Sequence, residues 1–542
     1  MDPEKDNGNI EYKFQLINLT PKRVDGLMTQ LKYRINEGDG EAIYEIGVSD
    51  DGRLLGLHND IMKDSLNNLK NIVSRINASI VYTTIKDLDN KLQVAEVLIR
   101  ESPDTISFID IFVATIGNVD SGKSSLIGVL TRGVLDNGRG KARSMIMQFK
   151  HELDSGRTST CTHHIMGFNN DGSVISDEHL TWKDVVLDSK KIITFADLCG
   201  HEKYLRTTIY GMSSIIPDYA MILVGANMGI TNMTKEHLSI CLSLKIPIII
   251  VVTKIDIAPS NILEQTMTTL TRLLKLPGVR KVPYVVKKED EISLVAKNVV
   301  HNNIVPIFMV SNVSGQGISY LKTFYNLLPK RRRRNIHEPV EFCIDGMYMV
   351  TGIGTVVSGI LNSGTIKVSD YVLLGPNGNG EFIKTQIRSI HSKRLGVSKA
   401  QSGDYICIAL KKISKNQIRK GMVLISHDNK YRSCNEFECS ISIIHSHHTT
   451  IRKYYQPYLH IGNVRQAAKI LSIQDVKTRD VSEDSNNPIL RAGDKALVRM
   501  RFIYRPEYIR PDTKLIFREG RIRGVGIITK VYPITKKMHN LN

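Results

Sequence analysis

Eight consecutive residues, Gly117-Asn118-Val119-Asp120-Ser121-Gly122-Lys123-Ser124, with Ser125 behind them, fit the pattern G-x-x-x-x-G-K-[ST]. Chemically this is a phosphate cradle. Its glycines let main-chain N–H groups turn toward phosphate oxygens. Its lysine brings a point charge to the β- and γ-phosphates, and its last hydroxyl suits Mg2+. The plain alternative is a glycine-rich turn without a ligand. Context argues against it: an apolar run at 108–116 precedes the pattern and a helix-compatible run at 125–130 follows. That is the strand–loop–helix setting phosphate binding requires.

A phosphate loop does not choose a base. Thr253-Lys254-Ile255-Asp256 follows the apolar run 246–252. An aspartate there can accept two hydrogen bonds from the N1–H and N2–H2 edge of guanine, while the Lys254 stem lies along the ring. Adenine has no such donor pair and would leave the carboxylate unpaired. Alone, the string reads as a capped strand end; behind a phosphate loop it reads as a guanine selector. Asp197-Leu198-Cys199-Gly200 follows the run 192–196. Asp197 is placed to hold Mg2+ through water, and the Gly200 N–H to meet a γ-phosphate whose loss would release the loop. Ser311-Asn312-Val313 follows the run 304–310 and is placed to support the base. Four elements in order, each at a strand end, predict a GTP/GDP site with Mg2+.

Such residues act together only on a rigid frame. Between 108 and 330 continuous apolar runs alternate with longer helix-compatible stretches. This predicts an α/β P-loop GTPase domain with a parallel-rich sheet covered on both faces. Residues 1–107 read as a small α+β module. Ala42, Tyr44, Ile46 and Val48 alternate, Asp51-Gly52 turns, and a second strand runs through Leu54, Leu55 and Leu57. A helix through Ile61, Leu66, Leu69, Ile72, Val73 and Ile76 starts behind Asn59 and Asp60 as cap candidates, and strands follow at 79–85 and 91–100. The basic run 330–334 is a linker, either a solvated spacer or an RNA-phosphate contact. Short runs at 350–357, 371–374, 382–390 and 405–410, with Gly and Asn-Gly turns, predict an all-β barrel over 336–430. A second barrel is expected over 433–535, before a tail at 536–542.

The 542 residues suit three or four domains, and 42% hydrophobic with 23% charged residues is ordinary globular usage. A net charge of +19 favours polyanionic partners, with a basic but unspecific surface as the alternative. Seven scattered cysteines without a C-x-x-C pair argue against a disulfide framework and a zinc ribbon. No apolar run approaches the ~20 residues of a spanning helix, and the first residues do not read as a signal peptide. A cytoplasmic chain without a membrane partner is the expectation.

Gly117 to Ser124, Asp197-Leu-Cys-Gly-His201-Glu202-Lys203-Tyr204 and Thr253 to Asp256 resemble the translational GTPases of the elongation factor Tu and elongation factor 1-alpha class. Leu135-Asp-Asn-Gly-Arg-Gly140, His151-Glu-Leu-Asp-Ser-Gly-Arg-Thr158 and Met233-Thr-Lys-Glu-His-Leu238 narrow the resemblance to the GTP-binding protein 1 and 2 family within that class. Gly200-His-Glu-Lys203 leans toward the first branch. Gly354-Thr-Val-Val-Ser-Gly359 and Phe517-Arg-Glu-Gly520 carry it into both β blocks. The resemblance implies GTP hydrolysis by a monomer that acts with aminoacyl-tRNA and the ribosome, in translation or its quality control, including ribosome rescue and mRNA turnover. It also implies that His201 orients the attacking water. The chemistry agrees, because phosphoryl transfer needs positioning and charge stabilisation. The alternative is a histidine that only packs in the switch. Thr158 is the expected switch hydroxyl on Mg2+, beside Ser124 and Asp197, with Thr160 as the alternative. Val119 keeps the apolar character expected at the gate to the histidine; Arg157 departs from it. That departure supports a rival reading, a slow-hydrolysing GTP-dependent adaptor that recruits RNA-decay machinery.

Lesser signals carry less. Cys161, His163 and His164 cluster, as do His445, His447 and His448, but neither group has a second pair at zinc spacing. Arg518, Arg521 and Arg523 suit an RNA phosphate or a surface hairpin. The stretch 169–191, with Trp182, reads as an insertion between the switches and suggests no chemistry.

Overall fold

A computed structural model of the chain describes residues 3–534 except 6, 89–90, 103–107, 148–151, 153–157, 159–160, 302, 332–334, 430–432, 446–450, 478–488 and 520–521. It divides into two units. The first comprises Met1–Glu202 with Pro217–Arg333, and the second Lys203–Ile216 with Arg334–Asn542.

The first unit begins with β1 (Ile10–Lys13), α1 (Pro21–Glu37), β2 (Glu41–Ile46), α2 (Asn59–Ser74), β3 (Ala78–Asp87) and β4 (Gln93–Glu101). They form one sheet in the order β1-β2-β4-β3. Sequence patterning missed β1 and α1, whose charged sequence PKRVDGLMTQLKYRINE buries only a narrow stripe at Leu27, Leu31 and Ile35. The legible signal was its start, where the Thr20 hydroxyl accepts from the Arg23 N–H and Pro21 occupies the first turn. Helix α2 starts at Asn59, so Asn59 and Asp60 lie in its first turn and His58 is the cap. The second strand expected through Leu54–Leu57 does not form. Gly47 and Gly56 take positive φ, Leu54 and Leu55 are exposed, and only isolated bridges, Val48 with Leu54 and Leu57 with Gln93, remain.

The rest of this unit is the G domain. In chain order it runs β5 (Ile109–Gly117), α3 (Lys123–Arg132), α4 (Lys141–Ser144), β6 (Thr162–Phe168), β7 (Val174–Ile175), α5 (Trp182–Asp188) and β8 (Lys191–Asp197). After α6 (Leu205–Ile215), which groups with the second unit, come β9 (Tyr219–Gly225), α7 (Asn232–Ser243), β10 (Ile248–Thr253), α8 (Ser260–Lys275), β11 (Val282–Val285), α9 (Asp290–Asn298), β12 (Ile304–Met309) and α10 (Ile318–Leu327). Strands β5, β8, β9 and β10 are buried at every residue. Continuous apolar runs are what a strand needs when helices cover both faces. The sheet order is β11-β12-β10-β9-β5-β8-β6-β7, parallel through β8, with β6 and β7 antiparallel at one edge. The stretch 169–191 supplies that edge hairpin and α5, which opens with a capping box between Thr181 and Asp184.

An ionic cluster joins the N-terminal module to the starts of these strands. The Lys191 ammonium, fully buried at the head of β8, donates to Glu41 at 3.1 and 3.2 Å and to the carbonyls of Asn326 (2.7 Å) and Leu328 (2.6 Å). Arg100 reaches the Glu41 carboxylate and the Asn326 side chain, each at 2.8 Å. A second cluster pairs Lys297 with Glu45 (2.5 Å) and Glu96 (2.7 Å). Asn326 also donates to the Gly172 carbonyl, so the hairpin between the switches packs against the same joint.

In the second unit, six strands of the first barrel close because Tyr371–Gly375 pairs with both Val423–Ile425 and Ile383–Ser392. The run expected as one strand at 350–357 is instead a hairpin. Glu341–Val350 ends and Gly354–Ser363 begins there, with Gly352 and Gly354 at φ +79° and +99°. The second barrel closes through Ser433–His445, which pairs with both Lys495–Phe502 and Ile522–Pro533. An α/β P-loop domain with a mixed sheet, followed by two closed six-stranded barrels, is therefore the architecture.

Candidate functional site

The four motifs converge at the C-terminal ends of β5, β8, β10 and β12. Strand β5 ends at Gly117, whose φ of +155° and proximity to the Leu223 carbonyl leave no room for a side chain. The loop turns through Asp120 at φ +59° and Gly122 at φ +81° before α3 begins at Lys123. Ser121 Oγ donates back to the Asn118 carbonyl (2.8 Å), fixing the curl, and Val119 is half-buried on its rim. Lys123 Nζ lies across the loop, donating to the carbonyls of Gly117 (3.2 Å) and Asn118 (2.8 Å), and burial pulls its pKa down. Ser125 continues the first turn of α3.

Three oxygens from three separate segments meet beside this lysine. Ser124 Oγ donates to Asp197 Oδ2 at 2.7 Å, and Thr158 Oγ1 lies 3.0 Å from Ser124 Oγ and 3.2 Å from Asp197 Oδ2. The other carboxylate oxygen, Asp197 Oδ1, is buried with no hydrogen-bond partner among the described residues. Burial raises the Asp197 pKa, against the pull of Lys123. Two hydroxyls and an underused carboxylate are hard oxygen donors, a set that fits Mg2+. Thr160 and Arg157, the alternative ligand and the altered gate, lie outside the described residues.

Gly200 closes the front. A Cβ there would sit 2.4 Å from Lys123 Nζ and 2.6 Å from the Gly117 carbonyl, so only glycine allows the switch to touch the phosphate loop. The next residue, His201, is exposed.

On the base side, Thr253 ends β10 and its hydroxyl donates to the Ser121 carbonyl (2.8 Å), tying the T-K-x-D motif to the phosphate loop. Lys254 follows in the left-handed region at φ +60°, a strained turn that swings Asp256 out to an exposed rim. Ser311 Oγ accepts from the Val313 and Ser314 N–H groups, which shapes the loop after β12. The Asn312 amide and the Thr253 hydroxyl both face Gly122, 3.5 and 3.7 Å from where its Cβ would be. One tie had no sequence signal: the Asp136 N–H donates to the Asn312 carbonyl (2.8 Å), bracing the base loop with the segment after α3.

Of the lesser signals, His163 and His164 stand on β6. His163 packs edge-on to Phe112, and His164 Nε2 lies 3.1 Å from the Thr162 hydroxyl. Among the described residues no three His, Cys, Asp or Glu side chains gather as a metal would need. His447, His448, Arg521 and the side chains of His445, Arg518 and Arg523 lie outside the described residues.

Comparison with known proteins points the same way. The family model for the elongation factor Tu GTP binding domain matches residues 110–336, and that for elongation factor Tu domain 2 matches 354–425. GTP-binding protein 1 of Xenopus laevis is 44% identical over 98% of this chain and 80% of its own length. The chain belongs to the GTP-binding protein 1 and 2 family of translational GTPases. GTP-binding protein 2 of Homo sapiens is 41% identical over 99% of the chain and 89% of its own length. The family's activity is GTP hydrolysis. At the level of fold, translation elongation factor SelB from Methanococcus maripaludis, in complex with the GTP analogue GppNHp, superposes with a TM-score of 0.56. It has 22% identity and covers 79% of this chain and 80% of that one. Among the described residues no helix is long and apolar enough to cross a membrane.

Proposed function

We propose that this GTPase is a switch acting with aminoacyl-tRNA and the ribosome, in translation or its quality control, including ribosome rescue and mRNA turnover. The single observation that carries its switch chemistry is the meeting of Ser124, Thr158 and Asp197 within 3.2 Å beside Lys123. In this reading the amides of Gly117 to Ser125 and the Lys123 ammonium hold the phosphates. Ser124, Thr158 and Asp197 would hold Mg2+, which when bound would offset negative charge on the phosphates. Thr253, Lys254, Asp256 and the loop Ser311 to Val313 hold the guanine. A base laid along that loop would cover Asp256, exposed at the rim. Gly200 senses the γ-phosphate, and His201, one residue on, orients water for attack.

Elongation factor 1-alpha of Archaeoglobus fulgidus is 26% identical over 78% of this chain. This supports the tRNA and ribosome reading, as does the net charge of +19. The test is GTP turnover with and without ribosomes and aminoacyl-tRNA. Ribosomes should accelerate turnover, and His201→Ala should lower the accelerated rate about 100-fold or more at unchanged GTP affinity. Turnover that neither ribosomes nor His201→Ala alters would overturn the reading. Nucleotide-dependent capture of RNA-decay proteins in that case would favour the adaptor.

A further inference from the structure

Residues 133–147, which follow α3, take no part in the chemistry above, yet they are closely tied. Helix α4 lies so close on α3 that a Cβ on Gly128 would stand 2.2 Å from the Ala142 carbonyl. The Asp136 carboxylate accepts from the Ala142 N–H (3.0 Å), and the Asn137 side chain accepts from the N–H groups of Arg139 (2.9 Å) and Lys141 (3.3 Å). Both acceptors are thus engaged with main chain. The segment is also braced from outside by the Asp136–Asn312 bond, and Leu135 lies over Gly315.

This frame presents cations. An open cavity of about 290 Å3 is lined by Asn137, Arg139, Gly140, Lys141, Arg143, Ser144 and Met147. Three of these carry positive charge, and among the described residues that line it there is no carboxylate. The Arg143 guanidinium folds over Gly140, its Nε 2.4 Å from where a Cβ would be, and Gly140 sits at φ +94°. The left-handed turn favours glycine at 140, and the guanidinium rests on the space its missing side chain leaves. Like charges brought together on a stiff frame repel one another. Their gathering is useful when an anion arrives.

We propose that Arg139, Lys141 and Arg143 form a phosphate-contact site for RNA on the G domain, separate from the nucleotide pocket. Guanidinium and ammonium groups on a polar, main-chain-braced lining match backbone phosphate, the part of a nucleic acid that cations position on. The cavity's open mouth fits a phosphate held within a polymer. The site deepens the RNA-directed reading above and rests on it.

The experiment follows binding of a fluorescently labelled RNA hairpin to the full chain loaded with GppNHp, over a range of salt concentrations. In Arg139→Ala/Lys141→Ala/Arg143→Ala the slope of log affinity against log salt should fall by about 2, as loss of up to three phosphate contacts requires. GTP affinity should be unchanged. Arg139→Lys/Arg143→Lys should keep the wild-type slope, because the charge count is kept. If wild-type protein binds the hairpin and the alanine variant binds it with the same slope, the site is wrong while the RNA-directed reading stands. If wild-type protein binds neither the hairpin nor ribosomes, both fall. If tripolyphosphate binds at these residues and the hairpin does not, the site serves a small polyphosphate and the RNA assignment is overturned.

Discussion

In the proposed reading, base choice depends on Asp256. Its carboxylate matches paired donors, and an amide in its place offers one donor and one acceptor. Asp256→Asn should therefore weaken GTP by about 100-fold or more and favour xanthosine nucleotides, read by competition titration. An unchanged GTP affinity would show that this carboxylate does not read the base. The turns after β5, β8, β10 and β12 were legible at this scale, because each motif's spacing encodes a turn after a strand. Less legible were contacts between motifs. Nothing in T-K-x-D says that Thr253 bonds to Ser121, and nothing in the Asp197 string says that Gly200 has Lys123 as its neighbour. The rim exposure of Asp256 was equally hidden, since it follows from the left-handed Lys254.

Strand β8 links two tasks. Its far end presents Asp197 to the candidate pocket, and its first residue, Lys191, is tied to Glu41 of the N-terminal module and to the carbonyls of Asn326 and Leu328 at the close of α10. Burial pulls the Lys191 pKa down to about 8, so this is a costly charge to hide. Removing it takes this donor from the Leu328 carbonyl and leaves Glu41 and the Asn326 carbonyl with Arg100. Lys191→Met should destabilise the first unit by about 3 kcal/mol, measured by urea unfolding; no change would mean the cluster is not a structural joint. The sequence showed the buried G-domain strands plainly, because their apolar runs are unbroken. It hid this joint, since a lysine at a strand start ordinarily faces water. It also hid α1, because a helix that buries a thin stripe has weak periodicity.

At the scale of the whole chain, the second unit begins one residue after Glu202, so the helix following His201 is grouped with the barrels. In that unit Tyr210 of α6 has Lys420 at 5.8 Å and Arg465 at 5.6 Å over its ring, and Ser213 donates to the Gly462 carbonyl at 3.0 Å. A linear reading assigned this segment to the G domain, because chain order carries no sign of a helix packing on strands some 250 residues later. Each unit also buries a neutral histidine. Burial holds His237 at about 3 and His460 at about 4, against an ordinary 6.5; a lesser pull comes from Lys123 on His237 and from Arg465 and Arg206 on His460. Folded values below the unfolded one mean that their contribution is complete above pH 6.5 and is lost as pH falls toward 4 and then 3. Each should cost up to about 1.4 kcal/mol per pH unit in that window. Urea midpoints across the window should fall less steeply in His237→Gln and His460→Gln; equal slopes would contradict the burial. The proposed switch needs a pocket that accepts a guanine triphosphate and refuses an adenine one. Titration of the purified full chain with fluorescent GTP in magnesium, competed by unlabelled GTP or ATP, tests this most directly. Displacement by GTP with ATP weaker by about 1,000-fold or more is the predicted result. Equal displacement by both nucleotides, or binding of neither, would contradict it.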